Sequence, residues 1–181
     1  TQKIPLVKHL LSKKDFKSVL IFCSSKISVK QLTRDLKRAK FLADEIHSDL
    51  DQTNREDVLI QFKSGRLPIL VATDILSRGI DIDNIDLVIN YDVPNDGEDY
   101  VHRIGRTGRA GASGIAISFC DAEERPFLRD ITKLIGINIP VVEEHPYKMT
   151  YANFAPTAAS NAPAASKGHG VFRRGRGGFR Q

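Results

Sequence analysis

The 181-residue chain has no tryptophan, one methionine and only two cysteines. Cys23 and Cys120 stand far apart with no CxxC spacing, which excludes both a disulfide framework and a thiolate zinc site. Each closes an apolar run, so both are expected as core thiols in a reducing, cytoplasmic setting. No apolar run reaches the roughly 18 residues of a membrane helix, and no charged-then-apolar leader opens the chain, so neither membrane association nor export is expected. Also missing is GxxxxGK[ST], the loop and lysine that cradle nucleotide phosphates. ADEI at 43–46 only superficially echoes an acidic, Mg²⁺-holding strand end, so no metal site is expected on this chain. Thr1 opens on a pattern already periodic, and is expected to be a cut through a longer protein.

Charge of one sign is missing locally. Thr150 to Gln181 carries five basic residues and no acid, which leaves 22 of each sign before it. The formal net charge of +5 therefore belongs to a tail, and the body is neutral. The body is also segregated: eleven basic residues and two acids to Lys40, then four and fourteen from Phe41 to Asp99.

Within the body, short apolar runs alternate with helical periodicities, the pattern of βα units closing a mostly parallel α/β sheet. Ile4, Val7, Leu10 and Leu11 mark a first helix, and SVLIFC (18–23) a buried strand. Val29, Leu32, Leu36 and Ala39 mark a second helix, whose other face of Lys30, Arg34, Lys37 and Arg38 reads as solvated surface. A short strand is expected at 42–47, then a helix at 52–63, with Thr53 and Glu56 as a capping box and Gly65 at the C-terminal end. PILVAT (68–73), LVINYDV (87–93) and GIAISFC (114–120) read as strands, followed by a helix at 122–135 that stops at Gly136. A last strand is expected near 138–143. One domain is thus expected over 1–149, with 150–181 a disordered linker and a Gly/Arg tail.

Three stretches carry chemistry. HRIGRTGRAG (102–111) spaces three arginines evenly among Gly105, Gly108 and Gly111, putting planar five-donor cations on a backbone free to turn tightly. Such a cluster suits phosphate; the alternative is pairing with Asp92, Asp96, Glu98 and Asp99. VATDILSRGIDI (71–82) places Thr73, Asp74 and Asp81 beyond a strand's carboxyl end, where open α/β sheets bind ligands. There a hydroxyl suits a phosphate and an aspartate a ribose; the alternative is N-capping by Asp74. QTNR (52–55), at a helix start, suits a sugar-phosphate backbone or nothing beyond a capped turn.

Taken in order, IFCSSK, QTNR, VATDILSRGIDI, VINYDVP and YVHRIGRTGR resemble the second-domain motifs of the DEAD-box RNA helicases over about 18–118. The resemblance implies a RecA-like domain in which Ser25, Arg55 and Thr73 contact the RNA backbone and Asp81, with Gly79, meets the ATP ribose. It implies that Arg106 and Arg109 reach the γ-phosphate as catalytic arginines, and that His102 and Arg103 couple nucleotide state to domain closure. It also implies ATP and Mg²⁺ held mainly by an N-terminal RecA-like domain of the same chain, so the fragment alone is expected to be inactive, and a monomer is expected. Ser48 departs from the glycine that often follows the histidine matched by His47, and His47 reads as a structural strand-end residue. In the tail, Arg173, Arg174 and Arg176 are expected to attach to RNA in a salt-sensitive way, with Phe172 and Phe179 stacking on bases; a merely solubilising end is the alternative. A DNA-directed helicase and a non-catalytic RNA-binding module remain open as rival functions.

Overall fold

The computed structural model describes residues 2–13, 16–74, 82–108, 114–142 and 144–147. The chain runs α1 (Lys3–Lys13), β1 (Val19–Cys23), α2 (Lys26–Arg38), β2 (Ala43–Ile46), α3 (Gln52–Lys63), β3 (Ile69–Thr73), β4 (Leu87–Asn90), α4 (Gly97–Ile104), β5 (Ile115–Ser118), a 3-10 turn (Ala122–Glu124) and α5 (Arg125–Ile135). The strands form one five-stranded sheet in the order β2-β3-β1-β4-β5, with every pairing parallel. This is the parallel α/β sheet read from the alternation of runs, in the RecA-like three-layer architecture that the resemblance implied.

The sheet is covered on both faces, which is why its central strands are continuously apolar. All five residues of β1 and of β3 are buried. Successive side chains alternate between faces. Val19, Ile21, Cys23, Val71 and Ile89 pack beneath α1 and α2, while Leu20, Phe22, Leu70 and Val88 pack with Val58 and Phe62 of α3 and with Ile82 and Ile85. A third, smaller cluster joins Val93, Tyr100 and Ile131 between α4 and α5.

Several expectations change. The N-cap of α3 is Asp51, whose Oδ1 accepts the Asn54 N–H at 2.8 Å, so Thr53 and Glu56 form no capping box; Glu56 instead accepts from Gln52. β4 ends at Asn90 rather than Val93, because the Asp92 carbonyl turns aside to accept from Arg103. No strand forms at 138–142: Val141 and Val142 are 79% and 73% exposed, and β propensity alone does not make a strand without a face to cover. Gly65 and Gly136 do take positive φ, at 74° and 66°. Among the described residues no helix is long and apolar enough to cross a membrane.

Candidate functional site

Parallel strands bring their carboxyl ends to one edge of the sheet. Along that edge lie Ser24 and Ser25 after β1, His47 after β2, Thr73 and Asp74 at the end of β3, and Asn90 to Asp92 at the end of β4. Ser25 caps α2, its Oγ accepting the Ser28 N–H at 3.1 Å. Thr73 is 7% exposed, and its hydroxyl has no hydrogen-bond partner among the described residues. Arg55, in the first turn of α3, likewise has a buried Nε without one. His47 is buried and structural as expected, its Nδ1 accepting the Asp49 N–H at 3.2 Å.

The edge is fastened by Arg103, which is wholly buried on α4. Its guanidinium donates through Nε and Nη2 to the two oxygens of Asp74, and through Nη1 to Asn90 Oδ1 at 3.2 Å and to the Asp92 carbonyl at 2.9 Å. The cation also lies 5.2 Å from the Phe22 ring centroid. Asp74 is therefore Arg103's partner and not simply a helix cap. Of the acids first considered for the arginine cluster, Asp92 contributes its carbonyl to Arg103, while the Asp96 side chain caps α4.

Arg106 is placed elsewhere. It follows the end of α4, and its carbonyl accepts the Ile85 N–H at 3.1 Å, ahead of the amino end of β4. Its Nη1 lies 3.7 Å from Asp83 Oδ1. Thus Ser25 and Thr73 share the carboxyl edge, whereas Arg106 lies toward the opposite end of β4. Gly105 has φ of −64°, so its freedom to take positive φ goes unused. What the segment needs instead is Gly114: a Cβ there would fall 2.5 Å from Gly108 N and 2.8 Å from the Ile85 carbonyl. His102 is exposed on α4. Gly79, Asp81, Arg109, Gly111 and the tail residues Phe172, Arg173, Arg174, Arg176 and Phe179 lie outside the described residues.

Sequence reasoning missed the acidic half of this edge. Asp92 Oδ2 accepts from Ser24 N–H and Oγ–H at 2.8 and 3.0 Å, and its Oδ1 faces Lys3 at 3.3 Å. Nothing local signals these bonds, since each joins residues distant in sequence. Among the described residues no group of His, Cys, Asp or Glu could hold a metal ion, so no step is assigned to a metal on this chain.

Residues 2–111 match the family described as helicase conserved C-terminal domain. This chain belongs to that family. The ATP-dependent RNA helicase DbpA of Bacillus subtilis is 50% identical over 141 residues, covering 78% of this chain but 29% of the relative. The C-terminal domain of the DEAD-box protein Dbp5 superposes with a TM-score of 0.71 at 35% identity, covering 76% of this chain and 81% of that one. Saccharomyces cerevisiae Dbp5 bound to RNA and ADP BeF3 gives 0.73 at 35% identity, covering 77% and 38%. The chain is therefore a C-terminal, second RecA-like domain of a DEAD-box RNA helicase, spanning less than a third of its curated relative. As a DEAD-box domain it joins the aspartate of VATD to the first arginine of HRIGRTGR in one contact, Asp74 to Arg103.

Proposed function

We propose that this domain is the second half of an ATP-dependent RNA helicase that locally unwinds RNA duplexes. In this reading residues 1–149 form the RecA-like body and 150–181 a basic RNA-attaching tail that includes Arg173, Arg174 and Arg176. Ser25, Arg55 and Thr73 grip one RNA strand by its backbone, which makes recognition independent of base sequence. Asp81 and Gly79 meet the ATP ribose, and Arg106 and Arg109 meet the phosphates bound on a preceding RecA-like domain, which also holds Mg²⁺. Guanidinium groups suit the charge that builds up in phosphoryl transfer. Once hydrolysis removes the γ-phosphate, the arginines lose their partner and the cleft between the domains reopens. His102 and Arg103 couple the two events. The fragment alone is inactive, and the full protein acts as a cytoplasmic monomer.

The observation that carries the RNA assignment is a pair of orphaned atoms. Thr73 Oγ1 and Arg55 Nε are two of five buried side-chain atoms without a hydrogen-bond partner among the described residues, and both belong to residues matched to backbone contacts. An unsatisfied buried polar group costs about 1–3 kcal/mol, which a phosphate or ribose oxygen would recover. Thr73→Val in the full-length helicase keeps the shape and removes the hydroxyl. It is expected to raise the RNA concentration for half-maximal ATPase stimulation about five-fold. An unchanged RNA dependence would falsify the assignment.

A further inference from the structure

Lys3 opens α1, yet the residue is only 7% exposed. Its Nζ lies 3.3 Å from Asp92 Oδ1, 3.1 Å from Asp121 Oδ2 and 3.0 Å from Glu124 Oε2, with the Tyr91 ring centroid at 5.6 Å. Burial pulls its pKa down, but Glu124, Asp92 and Asp121 together outweigh burial and hold the ammonium above its ordinary value. Three carboxylates gathered without this cation would repel one another.

Each of these acids is also committed to the backbone or side chains nearby. Glu124 accepts the Val93 N–H at 3.0 Å and the Asp121 N–H at 2.7 Å. Asp92 is the branch point, with Oδ1 toward Lys3, Oδ2 toward Ser24 and its carbonyl toward Arg103. Ser24 is followed directly by Ser25, the cap of α2. Helix α1 does not need the ion to dock, because Val7 is fully buried and Ile4, Leu6, Leu10 and Leu11 pack on the same core. Buried ion pairs are in any case poor sources of stability and better suited to fixing one geometry.

We propose that Lys3 is a positioning residue for RNA binding: by fixing Asp92 it holds the Ser24–Ser25 turn where Ser25 meets the RNA backbone. The proposal rests on the RNA reading of Ser25. The cation acts two links from Ser24, through Asp92, and Ser24 is the covalent neighbour of Ser25.

The experiment uses the full-length helicase and reads RNA-stimulated ATPase as kcat against the half-saturating concentration of a single-stranded RNA. Lys3→Met is expected to raise that concentration about five-fold while kcat at saturating RNA stays within about two-fold. The double variant Lys3→Met with Asp92→Ala is expected to bind RNA no worse than Asp92→Ala alone, since Asp92→Ala already takes the carboxylate away from Lys3 and from both Ser24 donors. Additive losses overturn the proposal, as does an unchanged RNA dependence of Lys3→Met when Ser25→Ala weakens it. If Ser25→Ala itself has no effect, the RNA reading of Ser25 fails, and the proposal with it. Should Lys3→Met not fold, Asp92→Ala, which removes the carboxylate between Lys3 and Ser24, carries the test: unchanged RNA dependence there overturns the proposal too.

Discussion

Arg103 and Asp74 meet fork to fork, Nε on Oδ1 and Nη2 on Oδ2, across 29 residues of sequence. The pair ties the end of β3 to α4 beneath the ring of Phe22. Its removal tests how far the site depends on one buried charge. Asp74→Ala leaves the guanidinium without its counter-charge and is expected to lower the unfolding free energy by about 3 kcal/mol. Arg103→Lys cannot reproduce the two-pronged geometry and is expected to cost at least about 1 kcal/mol. Urea unfolding followed by circular dichroism measures both, and a loss for Asp74→Ala below about 0.5 kcal/mol contradicts the account.

Gly114 admits the backbone of Gly108 and Ile85 at distances no side chain tolerates. Gly114→Ala must push the segment carrying Arg106 away from Ile85. Overpacking of this kind costs about 1–3 kcal/mol. The melting temperature is expected to fall by several degrees in calorimetry, and the full-length ATPase to fall with it. A variant as stable and as active as the parent would show that this approach is not required.

Three buried groups share a sign in their response to base. Burial pushes the Cys23 thiol well above its ordinary 9.0, and burial with neighbouring Cys23 and Asp92 pushes the Tyr91 hydroxyl from 10.0 to about 12. Lys3, burial notwithstanding, is held above 10.5 by its carboxylates. All three keep their protons more tightly when folded, so their stabilisation is complete below about pH 9 and is lost as pH rises beyond it. The melting temperature is expected to be level from pH 7 to about 8.5 and then to decline. Tyr91→Phe is expected to flatten the decline between about pH 10 and 12; an unchanged slope would count against this cause.

The two thiols differ in access. Cys23 is fully buried in the core and Cys120 half-buried past β5. A soluble disulfide reagent at pH 8 is expected to modify Cys120 within minutes and Cys23 only at the rate of unfolding. Equal rates for the two would mean that the β1 end opens far more readily than its packing implies.

Much of the fold was legible because its signals are local. VLIFC, ILVAT and LVIN declare themselves as doubly covered strands, and Gly65 and Gly136 mark helix ends by the φ that their positions need. Helix α4 was missed because its eight residues begin with glycine and span little more than two turns. NIPVVE misled in the opposite direction, its β-branched residues having no neighbouring strand to pair with. At the site, Thr73, Ser25 and Arg55 were legible through motif order. Lys3, Asp92 and Glu124 were not, because a buried cage whose members lie 89 and 121 residues apart leaves no mark in any window of sequence.

The strand order has a consequence for synthesis. Val19 of the central strand finds its neighbours only at Ile69 and Leu87. Until both have left the ribosome, VLIFC is an uncharged, β-prone segment with open edges, and loop closure must precede any reward from pairing. A chain halted between Thr73 and Leu87 can pair β1 with β3 alone. It then presents the other side of β1 to any extended segment nearby, so translational pausing in that stretch would favour aggregation over folding.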